Sequence, residues 1–330
     1  MGNATFEIMM RPARKHLSYT AVMLSGLMLL LIVPSGYTAT KPDKIGITYV
    51  KLPFNAPAII ARRLGLFEKE FGPDGIAVRM PEMSTGSQQM QAMAAGSIQF
   101  ASVAGGETAI LARSNGIDLK IIAAFSRAPK AFTIMVRNPV IKKLSDLKGK
   151  IVVGPKGTVS HHLLIAALRR EGLSAADIKF VNMTVPQAQT ALVAGSADAA
   201  LIVGSAIIMA ESAGARVLVD GQGLVSGLTV TIVAGSFLKE HPDIVKRYLR
   251  VQQQALQYMR MNPSETIKIV AEETQISETS VRKMLPWYDF GSKITPQDIA
   301  DLIATQRFLK ENDLLTDTID VNQLLEVGLP

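Results

Sequence analysis

From Lys44 to Asp220 the chain alternates short apolar runs with amphipathic stretches. "KIGITYV" reads as a strand. "APAIIARRLGLFEKEF" reads as a helix, because its apolar positions recur at the spacing of one helical face and Gly72-Pro73 stops it. The scheme continues with strand "IAVRMPEM", helix "STGSQQMQAMAAGSI" with Ser84 as its N-cap, strand "QFASVAG", helix "GETAILARSNG" and strand "LKIIAAFS". It then restarts. "AFTIMVRN", "KIVVG", "IKFVNMT", "ADAALIVG" and "ARVLVD" read as strands, separated by the helical stretches "LSDLKG", "TVSHHLLIAALRREG", "VPQAQTALVAGS" and "SAIIMAESAG". The stretches "AAGSIQFASVAG" and "VAGSADAALIVG" occupy matching places in the two series. From Phe237 onward the pattern is mainly helical, with "HPDIVKRYLRVQQQALQYMRMNP" the strongest amphipathic segment. Such alternation predicts an α/β fold, with open, mostly parallel sheets flanked by helices on both faces.

Composition supports a large core. Of 330 residues 48% are hydrophobic and 19% charged. The absence of cysteine excludes disulfides, thiolate metal sites, cysteine nucleophiles and lipid attachment through cysteine. The net charge is +7; the first 39 residues hold Arg11, Arg14 and Lys15 against Glu7, which leaves +5 to the rest. That excess is spread thinly, without a Lys/Arg block, so it gives a weak preference for anions and no case for nucleic acid.

The first segment predicts an address rather than a domain. Arg11, Arg14 and Lys15 form a basic region, Ala21 to Val33 is apolar, and Pro34 and Gly36 break it. The apolar run is shorter than the ~20 residues of a spanning helix. Residues 1–39 are therefore expected to be a signal peptide cleaved after Ala39, and the protein to be periplasmic; an uncleaved anchor is the competing reading.

The stretches "GLFEKE", "AAGSIQFASV", "LSDLKGKIVVGPKGT" and "LVAGSADAAL", in that order and spacing, resemble the substrate-binding proteins of ABC importers for aliphatic sulfonates, taurine and nitrate. The resemblance implies a two-lobed periplasmic binding protein of the type II kind, with a ligand cleft between two α/β lobes and a chain that crosses twice. The expected division is 40–127 for the first part of lobe 1, 128–227 for lobe 2, and 228–330 for the return to lobe 1 with C-terminal helices. It implies a small-molecule ligand, an anion such as an alkyl or aryl sulfonate, captured by lobe closure. A permease with its ATPase is the expected partner, the protein itself is expected to be monomeric, and no cofactor or metal is expected.

Within that frame the candidate contacts lie where a strand ends, a small-residue turn follows and a helix begins, because unpaired N–H groups there favour an anion. Phe54 and Asn55 of "KLPFNAP" are expected wall residues. Ser84, Thr85 and Gly86 of "STGS", Gly106 and Glu107 of "AGGET", Gly157, Thr158, Ser160 and His161 of "KGTVSH", Thr184 of "TVPQ", and Gly204 and Ser205 of "VGSA" complete the turns. The anionic head is expected on Ser84–Gly86 and Gly157–Ser160, the apolar tail on Phe54. For each turn, plain helix capping is the alternative. His161 and His162 point about 100° apart on a helix, so they do not chelate one metal together. A first-turn histidine at the cleft wall and a ligand contact both remain open; the related proteins also have histidine after a Gly-Ser/Thr stretch. Glu107 either complements its helix dipole or accepts from an amine or hydroxyl on the ligand. Arg127, at the first crossing, either clamps a sulfonate or lies at the surface. Trp287-Tyr288 either packs or forms an aromatic lid.

An enzyme is the competing class. The chain resembles more distantly a family that makes the pyrimidine precursor of thiamine, whose enzymatic members carry a cysteine-rich motif that is missing here. G-x-S-x-G, P-loop and H-E-x-x-H motifs are likewise missing. A regulatory effector-binding domain is disfavoured because an export signal, not a helix-turn-helix, precedes the first strand.

Overall fold

The computed structural model describes residues 40–83, 85–326 and 328. The expected signal peptide and Ser84 lie outside the described residues. In chain order the elements begin with β1 (Lys44–Gly46), α1 (Ala56–Arg63), α2 (Leu66–Phe71), β2 (Ala77–Arg79), α3 (Gly86–Ala94), β3 (Phe100–Gly105), α4 (Gly106–Ser114) and β4 (Leu119–Arg127). A second series follows: β5 (Phe132–Val136), β6 (Ile151–Gly154), α5 (Val159–Arg170), β7 (Lys179–Asn182), α6 (Val185–Ala194), β8 (Ala199–Val203), α7 (Ser205–Ser212) and β9 (Arg216–Asp220). The chain then adds β10 (Leu228–Ala234) and helices α8 (Gly235–Glu240), α9 (Pro242–Met261), α10 (Pro263–Thr274), α11 (Glu278–Met284), α12 (Pro296–Glu311) and α13 (Val321–Leu324).

The two series build sheets of one topology. β1 pairs with β2 and is joined to β3 by the parallel bridge Ile47–Phe100, and β3 continues to β10 and β4. The second sheet has the order β7-β6-β8-β5-β9. In each, four strands point one way and one runs against them: β10 in the first, β5 in the second. The opposing strand is the one that enters its sheet directly from the other. β4 passes to β5 through Ala128–Ala131, and β9 returns to β10 through Gly221–Gly227. Helices cover both faces of both sheets, giving two lobes with paired cores.

Core positions follow helical period. α9 starts with Pro242, whose missing N–H has no helical partner to lose. It buries Ile244, Val245, Tyr248, Leu249, Val251, Gln252, Ala255 and Leu256, a 3.6-residue stripe. Tyr248 stacks on Phe100 of β3 with ring centroids 4.1 Å apart. β6 lies so close to β8 that a Cβ on Gly154 would sit 2.5 Å from Leu201 Cβ, so this strand end requires glycine. No element is expected from the sequence at Leu228–Ala234, yet β10 runs there between β3 and β4 of the first sheet. Thr231 is tolerated inside because its Oγ1 lies within hydrogen-bond distance of the Ser102 carbonyl and Gln252 Nε2, both at 3.4 Å.

Candidate functional site

A cavity of about 200 Å³ lies where strand ends of both sheets meet. The first lobe contributes Phe54, Val103, and the first-turn residues Glu107 and Thr108 of α4. The second contributes Phe132, Thr158 and Val159 at the start of α5, and Gly204, which caps α7. The crossing strands form its floor, with Ser126 Oγ and Thr229 Oγ1 hydrogen-bonded at 2.8 Å. Tyr288 reaches over it from the C-terminal region. Gly204 has φ +56° and ψ −129°, a conformation closed to other residues; a Cβ there would lie 3.4 Å from Tyr288 Oη and 3.8 Å from Phe54 Cδ1. Burial pushes the pKa of the Tyr288 hydroxyl up, so it is a neutral donor. Among the described residues the walls carry no lysine or arginine. A charged guest is therefore met by backbone N–H groups at the starts of α4, α5 and α7, by hydroxyls, and by one carboxylate.

A second cavity, about 490 Å³, adjoins the first and shares Glu107 and Val159 with it. The return segment Gly223–Leu228, His162 and one side of α12 bound it. Here His162 Nδ1 approaches Glu107 Oε1 to 3.6 Å across the cleft, and the His162 ring stacks on Phe308 of α12 at 4.2 Å.

Five of the residues singled out in the sequence meet in the smaller cavity: Phe54, Glu107, Thr158, Gly204 and Tyr288. The Thr158 hydroxyl donates to Pro155 O at 2.9 Å, which closes the turn that presents α5. Gly106 lines the larger cavity, and Ser205 follows Gly204 half-buried in the first turn of α7. Asn55 is fully buried and donates to Val50 O at 3.0 Å, so it holds the strand-to-helix turn rather than the cavity wall.

Other expectations need correction. Arg127 is no clamp. Its Nε donates to Asp298 Oδ1 at 2.7 Å, its Nη2 to Lys293 O at 2.8 Å and to Asp298 Oδ2, and its Nη1 to Gly291 O at 3.1 Å. With Asp289 Oδ2 at 3.5 Å as well, its fork is occupied in fixing the C-terminal region to β4. Thr184 is exposed and forms a capping box with Gln187, at 2.9 Å from its hydroxyl. Thr85 is an exposed N-cap that accepts from Gln88 N at 3.3 Å. Gly86 is screened by Thr108, whose Oγ1 lies 2.7 Å from where a Cβ on Gly86 would be; Thr108 is the wall residue. The Gly157 N–H points to His161 Nδ1 at 3.4 Å, and Ser160 is buried in the inner face of α5.

His161 is likewise inside, its ring between Phe180 and Phe308 at 4.9 and 5.8 Å. Burial, with Lys156 and His162 nearby, lowers its pKa to about 4, so it is a neutral packing group. His162, its neighbour, faces the cleft. The reading of the sequence also missed Phe132, Thr108, Ser126 and Thr229. The alternation of threonine with apolar residues in "LTVTIVA" was the available signal for the last.

Two open sheets of matched topology, joined by two crossings and facing each other over one cavity, define a periplasmic-binding-protein fold. The chain belongs to the NMT1/THI5-like family, whose model matches residues 53–266. It is 30% identical over 247 residues, 74% of each chain, to a Bacillus subtilis (strain 168) protein named for binding aliphatic sulfonates. It is 26% identical to the taurine-binding periplasmic protein of Escherichia coli (strain K12), over 85% of this chain and 91% of that one. The crystal structure of the periplasmic aliphatic sulphonate binding protein SsuA from Escherichia coli superposes with a TM-score of 0.78 at 26% identity, covering 87% of this chain and 92% of that one.

Proposed function

We propose that this chain is the periplasmic solute-binding component of an ABC importer, capturing a small organic anion of the alkyl- or arylsulfonate class. The observation that carries the reading is the cavity of about 200 Å³ between the lobes, where the starts of α4, α5 and α7 meet an apolar wall of Phe54, Val103 and Phe132. Helix starts offer N–H donors and positive dipole ends to a sulfonate, and the wall suits its hydrocarbon tail. The family membership and the sulfonate- and taurine-binding relatives support the same class. In this reading residues 40–127 and 228–330 form lobe 1 and 128–227 form lobe 2. Residues 1–39 direct export, the working protein is a monomer, and a permease with its ATPase receives the ligand. The test is calorimetry of the mature protein with alkane- and arylsulfonates, taurine, nitrate, sulfate and pyrimidines, backed by thermal melts. A sulfonate at 100 times its Kd should stabilise the fold by about 2.7 kcal/mol. Binding of a pyrimidine with no response to any sulfonate would overturn the assignment.

A further inference from the structure

A third cavity, about 550 Å³, opens between the end of α9, the start of α10, α11 and the segment Tyr288–Ser292. That volume is in the range of small-molecule sites. Leu256 of α9, Ile267 of α10 and Phe290 give it an apolar lining. Phe290 stacks on Tyr288 with ring centroids 5.6 Å apart, so a guest here lies against the stack whose Tyr288 also walls the smaller cleft cavity. Two features of this cavity have no role in the fold. Arg260 and Arg282 both line it and both are exposed, and among the described residues neither forms an ion pair or a side-chain hydrogen bond. Thr266, 2% exposed, lines it as well, and its buried hydroxyl has no partner. A buried hydroxyl left unpaired is unfavourable, and a guest that carries an acceptor relieves it. Asp289 brings the one acid of the lining, but its charge is engaged: Oδ2 faces Arg127 at 3.5 Å and Oδ1 accepts from Gly291 N at 3.0 Å. The two cleft cavities have no lysine or arginine among the described residues, so fixed, unpaired cations beside an apolar hollow stand here instead.

We propose that this cavity is a second ligand site, which takes an amphipathic monoanion with its carboxylate on Arg260 and Arg282 and its hydrocarbon body on the apolar lining. Arginine suits a carboxylate because its fork of N–H donors matches the two oxygens. This site goes beyond the cleft and does not depend on which solute is captured there. The experiment is calorimetry of the mature protein with octanoate and octanol, a pair of equal chain length, on wild type and on the double variant Arg260→Gln/Arg282→Gln. Octanoate should bind wild type about tenfold or more tightly than octanol, as expected for hydrogen bonds between charged groups. In the double variant the gap should fall to about twofold, while octanol binds as before. Octanoate that fails to bind wild type, or binds it no better than octanol, would overturn the proposal without recourse to a variant. A gap that survives in the double variant would place octanoate elsewhere, the cleft included, and would overturn it equally. Sedimentation in the same buffer covers the other occupant: a wild-type dimer that the double variant abolishes, with no octanoate bound, would give the cavity to a second copy of the chain and overturn the small-molecule site.

Discussion

At the scale of single residues, the site was legible where local signals define it. Phe54, Glu107, Thr158 and Gly204 each sit at a strand-turn-helix boundary, and such boundaries are written in a few consecutive residues. Phe132 and Tyr288 reach the cavity from segments distant in sequence: the Trp287-Tyr288 pair was marked as packing or a lid without showing what it covers, and nothing local places Phe132 there. The histidine pair was the harder case, because α5 buries almost its whole circumference. Its half-open stripe contains His162 and Arg169, seven apart, and that stripe faces the cleft. His161 lies on the packed side, and this has a consequence for acid stability. Its pKa is about 4 in the folded chain, lowered by burial and by Lys156 and His162, against about 6.5 unfolded. Below pH 6.5 the unfolded chain takes up a proton that the folded one refuses. Stability is therefore complete above that pH and is lost as pH falls toward 4, by roughly 3 kcal/mol across the window. Urea unfolding at pH 7.5 and 4.5 should show a steeper loss in wild type than in His161→Phe. Equal losses would mean that His161 accepts its proton without disturbing its packing.

At the scale of elements, most strands and helices up to Asp220 were readable because each carries its own period and stop signal, but the stretch read as one helix over "APAIIARRLGLFEKEF" is two, α1 and α2, because Gly65 between them is left-handed at φ +62°. β10 escaped because its position in the first sheet is set by the crossover, which pairs residues about a hundred positions apart, as in Ser126–Thr229. The arrival of α12 is also non-local, and it is fixed by one cluster. Thr295 caps the helix: its hydroxyl accepts from Asp298 N at 3.2 Å and donates to Asp298 Oδ2 at 2.7 Å. Asp298, 2% exposed, in turn holds Arg127. Burial pushes the Asp298 pKa up, but hydrogen bonds from Arg127 and Thr295 outweigh it and leave the group below the usual carboxylate range. Its contribution is thus present above about pH 4 and is lost as pH falls through the folded pKa. The two partners should differ in weight. Thr295→Ala removes a cap, at about 1 kcal/mol. Arg127→Met leaves a buried carboxylate without its counter-charge, at about 3–5 kcal/mol. Denaturant midpoints at pH 7 should rank the variants in that order, and equal midpoints would show that Arg127 is replaceable by solvent.

At the scale of the whole molecule, the two-lobed plan followed from the restart of the βα series, but the contacts between lobes did not. Besides the approach of His162 to Glu107 of α4, they arise on α12 and α11, which belong to neither series. Across the cleft Arg169 meets Glu311 at 3.0 Å, Lys283 meets Glu211 at 2.7 Å, and His162 stacks on Phe308. The ion pairs are largely exposed and contribute about 0–1 kcal/mol each; the ring stack adds about 0.5–1.5 kcal/mol. Contacts of this size bias closure without locking it, so the ligand must supply the rest of the difference between open and closed forms. Phe308→Ala should shift the ligand-free protein toward the open form, seen as a larger radius of gyration in solution scattering. A saturating ligand should bring variant and wild type to the same compact profile, because the bound state retains the ligand's own contacts with both lobes. The variant's affinity should fall in proportion to its lost closed fraction, since the apparent Kd is the intrinsic one divided by the competent population. Scattering curves that do not change on adding ligand, in either protein, would show that capture occurs without closure and that the α5–α12 contact is permanent rather than part of a hinge.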